Sequence, residues 1–186
     1  MSRTSRRKCL GRLGLLAAAM AQAPSLLAES NGSRSLAFAH THTGESLATV
    51  YFEGGAYVRA ALESINVLLR DFRTETVYPI EPQLLDRLYT LQASLGNDAA
   101  YQVICGYRSP QTNTMLRERS SGVAEHSLHM QGRAIDIRLP GVDTAQLALL
   151  ARRTLAGGVG YYKVSDFVHV DTGAVRNWGD AIGGGS

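Results

Sequence analysis

An aspartate in the middle of an apolar strand is the feature that most constrains how this chain can fold. Segment 134–139, "AIDIRL", has the composition of a buried strand and places Asp136 between Ile135 and Ile137. Burying an unpaired carboxylate is costly, so the fold must bring a partner to it.

Two histidines are candidate partners for this carboxylate. A later apolar segment, "FVHVD" at 167–171, carries His169 in its centre. Side chains alternate between the faces of a strand, so Asp136 and His169 can meet if the two strands are neighbours. His129 stands seven residues before Asp136 and is joined to it through Gly132, so it can fold back beside them.

Two imidazoles and one carboxylate are a ligand set that suits zinc in a four-coordinate site. Three protein ligands leave the fourth position for water, which is typical of a catalytic zinc. Asp166, three residues before His169, is then predicted to take a proton from that water. Arg108, in the loop "GYRSP", is predicted to stabilise a developing oxyanion or to hold a substrate carboxylate.

Each of these residues also has a purely structural interpretation. Asp136 can pair with Arg133 or Arg138, which are close to it in sequence. Asp166 can cap a turn before its strand, and Arg108 can be an ordinary loop arginine stacked on the tyrosine before it. A motif is a hypothesis until the geometry of the side chains is known.

The first 28 residues differ from the rest of the 186-residue chain. They hold five basic residues and no acidic one, followed by a short apolar run, as in a secretory signal. The run "SRRKCL" matches the twin-arginine pattern, so we expect export to the periplasm by the twin-arginine machinery and no stable membrane insertion. We divide the chain into a signal at 1–28, a linker at 29–35, one domain at 36–178 and a flexible tail at 179–186, with fraying from Asn177 onward.

Charge and cysteine content exclude other classes of protein. Without the five basic residues of the signal, fourteen Lys and Arg face sixteen Asp and Glu, which leaves a net charge near −2. This balance gives no case for nucleic-acid binding. Cys9 lies in the signal, so Cys105 is left without a partner for an intramolecular disulfide.

Hydrophobic periodicity predicts an α+β fold, with helices packed on a small, mostly antiparallel sheet. Segments 36–42 and 47–53 are expected to form a hairpin, and 101–105, 134–139 and a second hairpin at 158–173 complete the strands. Helices are predicted at 57–72, 81–96, near 112–118, and at 143–155 with Asp143 as N-cap.

Three separated motifs resemble the zinc D-Ala-D-Ala peptidase superfamily. They are "GYRSP", "SLHMQGRAID" and "DFVHVD", and they occur in the order of that family. The preceding half, from "FAHTHTGE" onward, resembles the branch of periplasmic murein endopeptidases once filed as a domain of unknown function. The likeness covers about residues 36–175 and implies the fold of D-Ala-D-Ala peptidases and Hedgehog-like domains.

The resemblance also implies roles for individual residues. One zinc ion per chain would be bound by His129, Asp136 and His169. Asp166 would be the general base, and Arg108 the arginine of the family's loop motif. The residues expected to contact substrate are Ser127, His126 and Tyr107, whereas His40 and His42 are expected to be structural or rim residues.

Several functions remain open from the sequence. The branch implies hydrolysis of peptide cross-links between peptidoglycan stems, with links between two diaminopimelate residues as one candidate. A carboxypeptidase that trims terminal D-amino acids would use the same fold. Cys105 as a nucleophile with His126 or His169 as base is a different mechanism, and a metal-stabilised module that only binds peptidoglycan is a non-enzymatic alternative.

Overall fold

The structure is a computed structural model that describes residues 32–120 and 122–182. The predicted signal at 1–28, the first three residues of the predicted linker and the last four residues of the predicted tail lie outside these ranges. None of the helices in the described ranges has the length and apolar character needed to cross a bilayer.

One eight-stranded sheet forms the centre of the part of the chain that the structure describes. Its strands are β1 Arg34–His40, β2 Ser46–Glu53, β3 Ala56–Tyr57, β4 Tyr101–Cys105, β5 Ala134–Arg138, β6 Gly158–Tyr162, β7 Phe167–Asp171 and β8 Arg176–Gly179. They lie in the order β3-β2-β1-β4-β5-β7-β6-β8. Only β1–β4 and β6–β8 pair in parallel; the other five pairs are antiparallel. The predicted α+β class is confirmed.

Within the described ranges, four α-helices accompany the sheet: α1 Arg59–Leu68, α2 Pro82–Leu95, α3 Pro110–Arg119 and α4 Thr144–Arg153. All four predicted helices are present, although the first is shorter than the predicted segment 57–72. The predicted N-cap of α4 is confirmed, because the Asp143 carboxylate accepts hydrogen bonds from the backbone N–H groups of Ala145 and Gln146.

The hydrophobic core lies between the sheet and helices α1, α2 and α4. Ile135 and Ile137 of β5 and Val168 of β7 are fully buried there, together with leucines of α2 and α4. Because side chains alternate along a strand, Asp136 points away from this core. The core therefore fixes which face of the sheet carries the polar residues.

The chain beyond residue 176 is more ordered than the sequence predicted. Asn177 to Gly179 were expected to be frayed, but they belong to β8, which pairs with β6. Gly160 explains the packing, since a Cβ there would come within 2.7 Å of the Trp178 ring. The predicted linker also ends early, because β1 begins at Arg34.

Candidate active site

His129 is presented by a short 3₁₀ helix, Leu128–Gln131, that precedes β5. Gly132 ends this helix with φ of 64°, in the left-handed region that favours glycine. A side chain at Gly132 would also collide with the carbonyl oxygen of Pro79. This tight turn returns the chain so that the imidazole of His129 faces the beginning of β5.

Asp136 and His169 are directly paired residues of the neighbouring strands β5 and β7. His169 Nδ1 lies 2.9 Å from Asp136 Oδ1. His129 Nε2 lies 3.1 Å from His169 Nδ1 and 3.3 Å from Asp136 Oδ1. The three side chains predicted from the sequence as metal ligands therefore converge on one point.

The outer ring nitrogen of each histidine is held by the protein. His129 Nδ1 lies 2.7 Å from the carbonyl oxygen of Gly106, so it donates its N–H there. His169 Nε2 lies 3.0 Å from a carboxylate oxygen of Asp171, which has no exposed surface. Such partners fix the ring orientation and tautomer, and direct the other nitrogen at a metal.

The cluster is buried and strongly coupled. Burial by itself would raise the pKa of Asp136, but the neighbouring imidazoles of His129 and His169 outweigh it and lower that pKa. Burial likewise opposes charge on His129, and the Asp136 carboxylate outweighs it and raises the pKa of His129. The carboxylate of Asp136 is therefore ionised, and positive charge beside it stabilises the cluster.

The spacing of the three inner atoms fits a metal ion. Ligands about 2.0–2.1 Å from a tetrahedral zinc lie roughly 3.3 Å from one another. The observed separations of 2.9–3.3 Å among His129, Asp136 and His169 are close to that value. The ligand atoms of Cys105, His129 and Asp136 also lie within 4.8 Å of one another, which places a thiol at the edge of the same cluster.

The loop after β4 brings Arg108 to the cluster. Its backbone N–H donates to the carbonyl oxygen of His129, and Arg108 Nη2 lies 3.9 Å from Asp136 Oδ2. The loop is anchored by buried Asp71, whose Oδ2 accepts from the backbone N–H and the hydroxyl of Ser109 at 2.8 and 2.6 Å. Burial opposes ionisation of Asp71, but these hydrogen bonds lower its pKa to about 2.

A cleft of about 430 Å³ opens over the cluster. Ser127, His126 and Arg108 line it on one side. Contact of Ser127 and His126 with substrate stays a prediction. The facing wall comes from the ends of β6, β7 and β8 and includes Tyr162, Phe167, Arg176 and Trp178. Asp136 is the only acidic residue lining this cleft in the described chain.

Tyr107 does not belong to the cleft, contrary to its predicted contact with substrate. It is buried and stacks on Tyr78 with ring centroids 4.8 Å apart. Its backbone N–H donates to the carbonyl oxygen of Leu69. Tyr107 therefore supports the loop that carries Arg108 rather than touching a ligand.

The placement predicted for Asp166, beside the metal, is also wrong. Its Oδ1 accepts from the Thr144 hydroxyl at 2.8 Å, and its Oδ2 lies 3.3 Å from Arg138 Nε. It stands in the turn before β7 with φ of 50°, and it belongs to a different cavity, next to the start of α4. Residues three apart at a strand entry project to opposite faces, which separates Asp166 from His169.

The structural interpretations of Asp136 are not supported. Arg138 contacts Asp166 and the carbonyl oxygen of Ser165, and Arg133 contacts Glu81 and Thr172. Asp136 is left to the histidines and Arg108.

His40 and His42 lie apart from the cluster, at the end of β1 and in the turn that follows it. His40 Nδ1 accepts from the backbone N–H of His42, and the ring of His42 stacks on Phe72 at 4.2 Å. Cys105 is buried and does not line the cleft, which argues against a role as nucleophile.

Sequence reasoning missed several residues of the site. Asp171 was given no role, although its position two residues after His169 on a strand puts it on the same face and is a usable signal. Trp178 was missed because it lies in the segment expected to fray, and Arg176 was missed because none of the three motifs includes it. Asp71 is 38 residues from Ser109, and no local pattern connects them.

The comparisons with known proteins agree on one family. Residues 28–178 match the family described as peptidoglycan L,D-endopeptidase MepK. The peptidoglycan L,D-endopeptidase MepK of Escherichia coli (strain K12) is 42% identical over 176 residues, which cover 94% of this chain and 97% of the relative. The probable peptidoglycan L,D-endopeptidase MepK of Haemophilus influenzae is 43% identical over 146 residues, 78% of each chain.

Proposed function

The chain belongs to the peptidoglycan L,D-endopeptidase MepK family, and we propose that it hydrolyses peptide cross-links of murein at the cleft above His129, Asp136 and His169. The observation that carries this proposal is the convergence of three metal-ligating atoms, each within 3.3 Å of the others, at the floor of an open cleft. A site that only stabilised the fold would have no need of a cleft above it.

Zinc is the metal we propose for this site, held by His129 Nε2, Asp136 Oδ1 and His169 Nδ1. When bound, zinc lowers the pKa of a coordinated water and polarises the carbonyl group of the scissile bond. The chain's own contribution is to keep the three ligand atoms directed inward, through the Gly106 carbonyl behind His129 and the Asp171 carboxylate behind His169.

Arg108 is proposed to bind the oxygen of the scissile carbonyl as negative charge develops on it. Its side chain is 11% exposed and lies at the cleft beside Asp136. Two of its four Nη N–H groups have acceptors among the described residues, so the other two remain as donors for substrate. Ser127 and His126 are proposed to contact the peptide on the same side of the cleft.

The non-catalytic alternative is disfavoured by the same features. A binding module would not need a buried arginine with a spare donor beside a metal-ligand set. The carboxypeptidase alternative differs only in which product is released, so the product analysis below decides it.

We further propose that the chain acts in the periplasm after export through the twin-arginine machinery. The support is the "SRRKCL" run in a basic and apolar N-terminal segment. A reporter fused to residues 1–35 should leave the cytoplasm only when both Arg6 and Arg7 are present. Export of the double lysine variant at the unchanged rate would contradict this assignment.

The test of the catalytic proposal is digestion of defined muropeptides followed by mass spectrometry. The purified protein is stripped of metal, divided, and reloaded with zinc or left empty. Zinc-loaded protein should separate stems that are joined by a link between two diaminopimelate residues, and stripped protein should not.

Two other outcomes would change the assignment. Release of a terminal D-amino acid with the cross-link intact would favour the carboxypeptidase. Equal cleavage by stripped and loaded protein would contradict a metal-dependent reaction. For the substitutions proposed below, Arg59→Gln is the control, because Arg59 forms only an exposed ion pair with Glu63 on α1.

A further inference from the structure

Arg176 stands where the facing wall of the cleft meets the metal-ligand cluster. It is the first residue of β8 and lines the cleft, with its side chain 45% exposed. Its guanidinium forms an end-on ion pair with Asp171: Nη2 lies 2.6 Å from Oδ2 and Nη1 lies 3.2 Å from Oδ1. Asp171 in turn holds His169, so Arg176 is one carboxylate away from a proposed metal ligand.

The position of this guanidinium is fixed on three sides. Besides the two contacts with Asp171, Nη1 donates a second hydrogen bond to the carbonyl oxygen of Ala174 at 3.0 Å. The Cζ atom of Arg176 lies over the Trp178 ring, 4.9 Å from the ring centroid. An exposed arginine normally loses much side-chain entropy on binding a ligand. Arg176 would lose less, because the folded protein already holds its side chain in one position.

Two of the N–H groups of Arg176 remain available to a ligand. A guanidinium has five N–H groups, and Asp171 and Ala174 take both on Nη1 and one on Nη2. The N–H on Nε and the second N–H on Nη2 have no acceptor among the described residues. These two N–H groups lie on the same edge of the guanidinium and are parallel. Such a pair can donate to both oxygens of one carboxylate.

We propose that this free edge of Arg176 binds a carboxylate of the substrate, on the carbon that bears the nitrogen of the scissile amide. The inference rests on the proposed function. When a cross-link is made through the side-chain amine of diaminopimelate, the carbon attached to that amide nitrogen also carries a free carboxylate. The substrate thus presents an anion next to the bond to be cleaved.

The two arginines of the cleft then have separate tasks. Arg108 is almost buried and lies beside Asp136, so it meets the carbonyl side of the scissile bond. Arg176 lies on the opposite wall beside Trp178, so it meets the amine side. The division gives the cleft a direction, and a substrate bound in reverse would leave its carboxylate without Arg176.

The experiment compares two cross-linked muropeptides that differ only in that carboxylate, which is free in one and converted to the primary amide in the other. The wild-type protein should show a kcat/KM about 10–100-fold higher for the free carboxylate, the range for losing hydrogen bonds to a charged group. Arg176→Lys and Arg176→Gln should reduce kcat/KM by that factor for the carboxylate substrate and leave the amide substrate nearly unchanged.

A role restricted to holding Asp171 predicts a different result. Both variants would then lose the same factor on both substrates, with a loss of bound zinc, and the proposal would be overturned. Arg176→Lys keeps a cation beside Asp171 while removing the parallel pair of N–H groups, so it preserves the fold if Arg176→Gln does not. Arg59→Gln is again the control.

The outcomes separate this inference from the function on which it rests. If the wild-type protein cleaves neither substrate, the proposed function fails and the inference fails with it. If it cleaves both and its preference survives in both Arg176 variants, the endopeptidase assignment stands and the role of Arg176 is wrong.

Discussion

The two faces of the β5–β7 strand pair are built from the same ten residues but differ in environment: one is an apolar core surface and the other lines a polar cleft. On one face Ile135, Ile137 and Val168 are fully buried against the helices. On the other face Asp136 and His169 lie side by side at the floor of a cleft. One register fixes both faces, because a slip by one residue would exchange them.

This difference teaches that the hydrophobic face specifies the active site indirectly. The burial of the aliphatic side chains decides which residues face the cleft, and no interaction at the cleft is needed to choose them. The same alternation excludes Asp166, which shares its parity with Val168 and therefore lies on the side of α4. The faces should consequently respond differently to substitution: one through stability, the other through turnover.

The largest effect is expected on the polar face, from Asp136→Asn. The amide has the size of the carboxylate but lacks the charge that both imidazoles and a metal require. We expect loss of bound zinc and a fall in kcat/KM on the order of a thousandfold, about 4 kcal/mol in activation free energy. Atomic absorption and muropeptide kinetics measure the two effects, and turnover within tenfold of wild type would show that Asp136 is not a ligand.

The next effect is expected on the opposite face, from Ile137→Ala. Ile137 has no exposed surface, so truncation leaves a cavity in the core and should lower the free energy of unfolding by about 3 kcal/mol. Urea denaturation measures this loss. The folded variant should keep kcat/KM within about threefold of wild type, and a large loss of activity would break the separation of the two faces.

Asp71 tests whether a buried carboxylate away from the histidines acts through stability. Its folded-state pKa of about 2 lies below the ordinary value of 3.8, so it binds protons less readily in the folded than in the unfolded chain. Its stabilisation, about 2 kcal/mol, is present above pH 4 and is lost as the pH falls toward 2. Asp71→Asn should therefore make the free energy of unfolding less dependent on pH in that window. The exposed Asp98→Asn should leave the curve unchanged, and identical curves for both variants would contradict this account.

The smallest effect is expected for Asp166→Asn. An asparagine accepts the left-handed φ of this turn and can still accept the hydrogen bond from Thr144. We expect kcat/KM within threefold of wild type and a loss of stability below about 1 kcal/mol, since the pair with Arg138 is exposed. A hundredfold loss of turnover with zinc retained would restore Asp166 as the proton acceptor.

Local sequence patterns predicted the fold and the metal-ligand cluster to the extent that strand alternation determines them. The strands of β5 and β7 could be recognised individually, and one assumption of adjacency brought Asp136 to His169. The same rule excludes Asp166, because a residue three positions before His169 falls on the opposite face of a continuing strand whatever the Asp-x-x-His spacing suggests. Motif spacing therefore needs to be checked against the secondary structure that carries it.

What the sequence could not provide depends on contacts between distant segments. Trp178 sits where it does because Gly160 leaves room for its ring, and neither residue alone predicts a strand. Asp71 stabilises the Arg108 loop through Ser109, a contact that only the folded chain creates. The supporting role of Tyr107 could not be predicted either, since its stacking partner Tyr78 precedes it by 29 residues.

The position of β8 in chain order separates two properties of the cleft. All three candidate ligands precede Arg176 in the chain, whereas Arg176 and Trp178 of β8 contribute to the wall of the cleft. A chain cut between Asp171 and Arg176 would keep every proposed metal ligand and lose these two side chains. Metal binding and substrate binding are therefore carried by segments that substitution or truncation can separate.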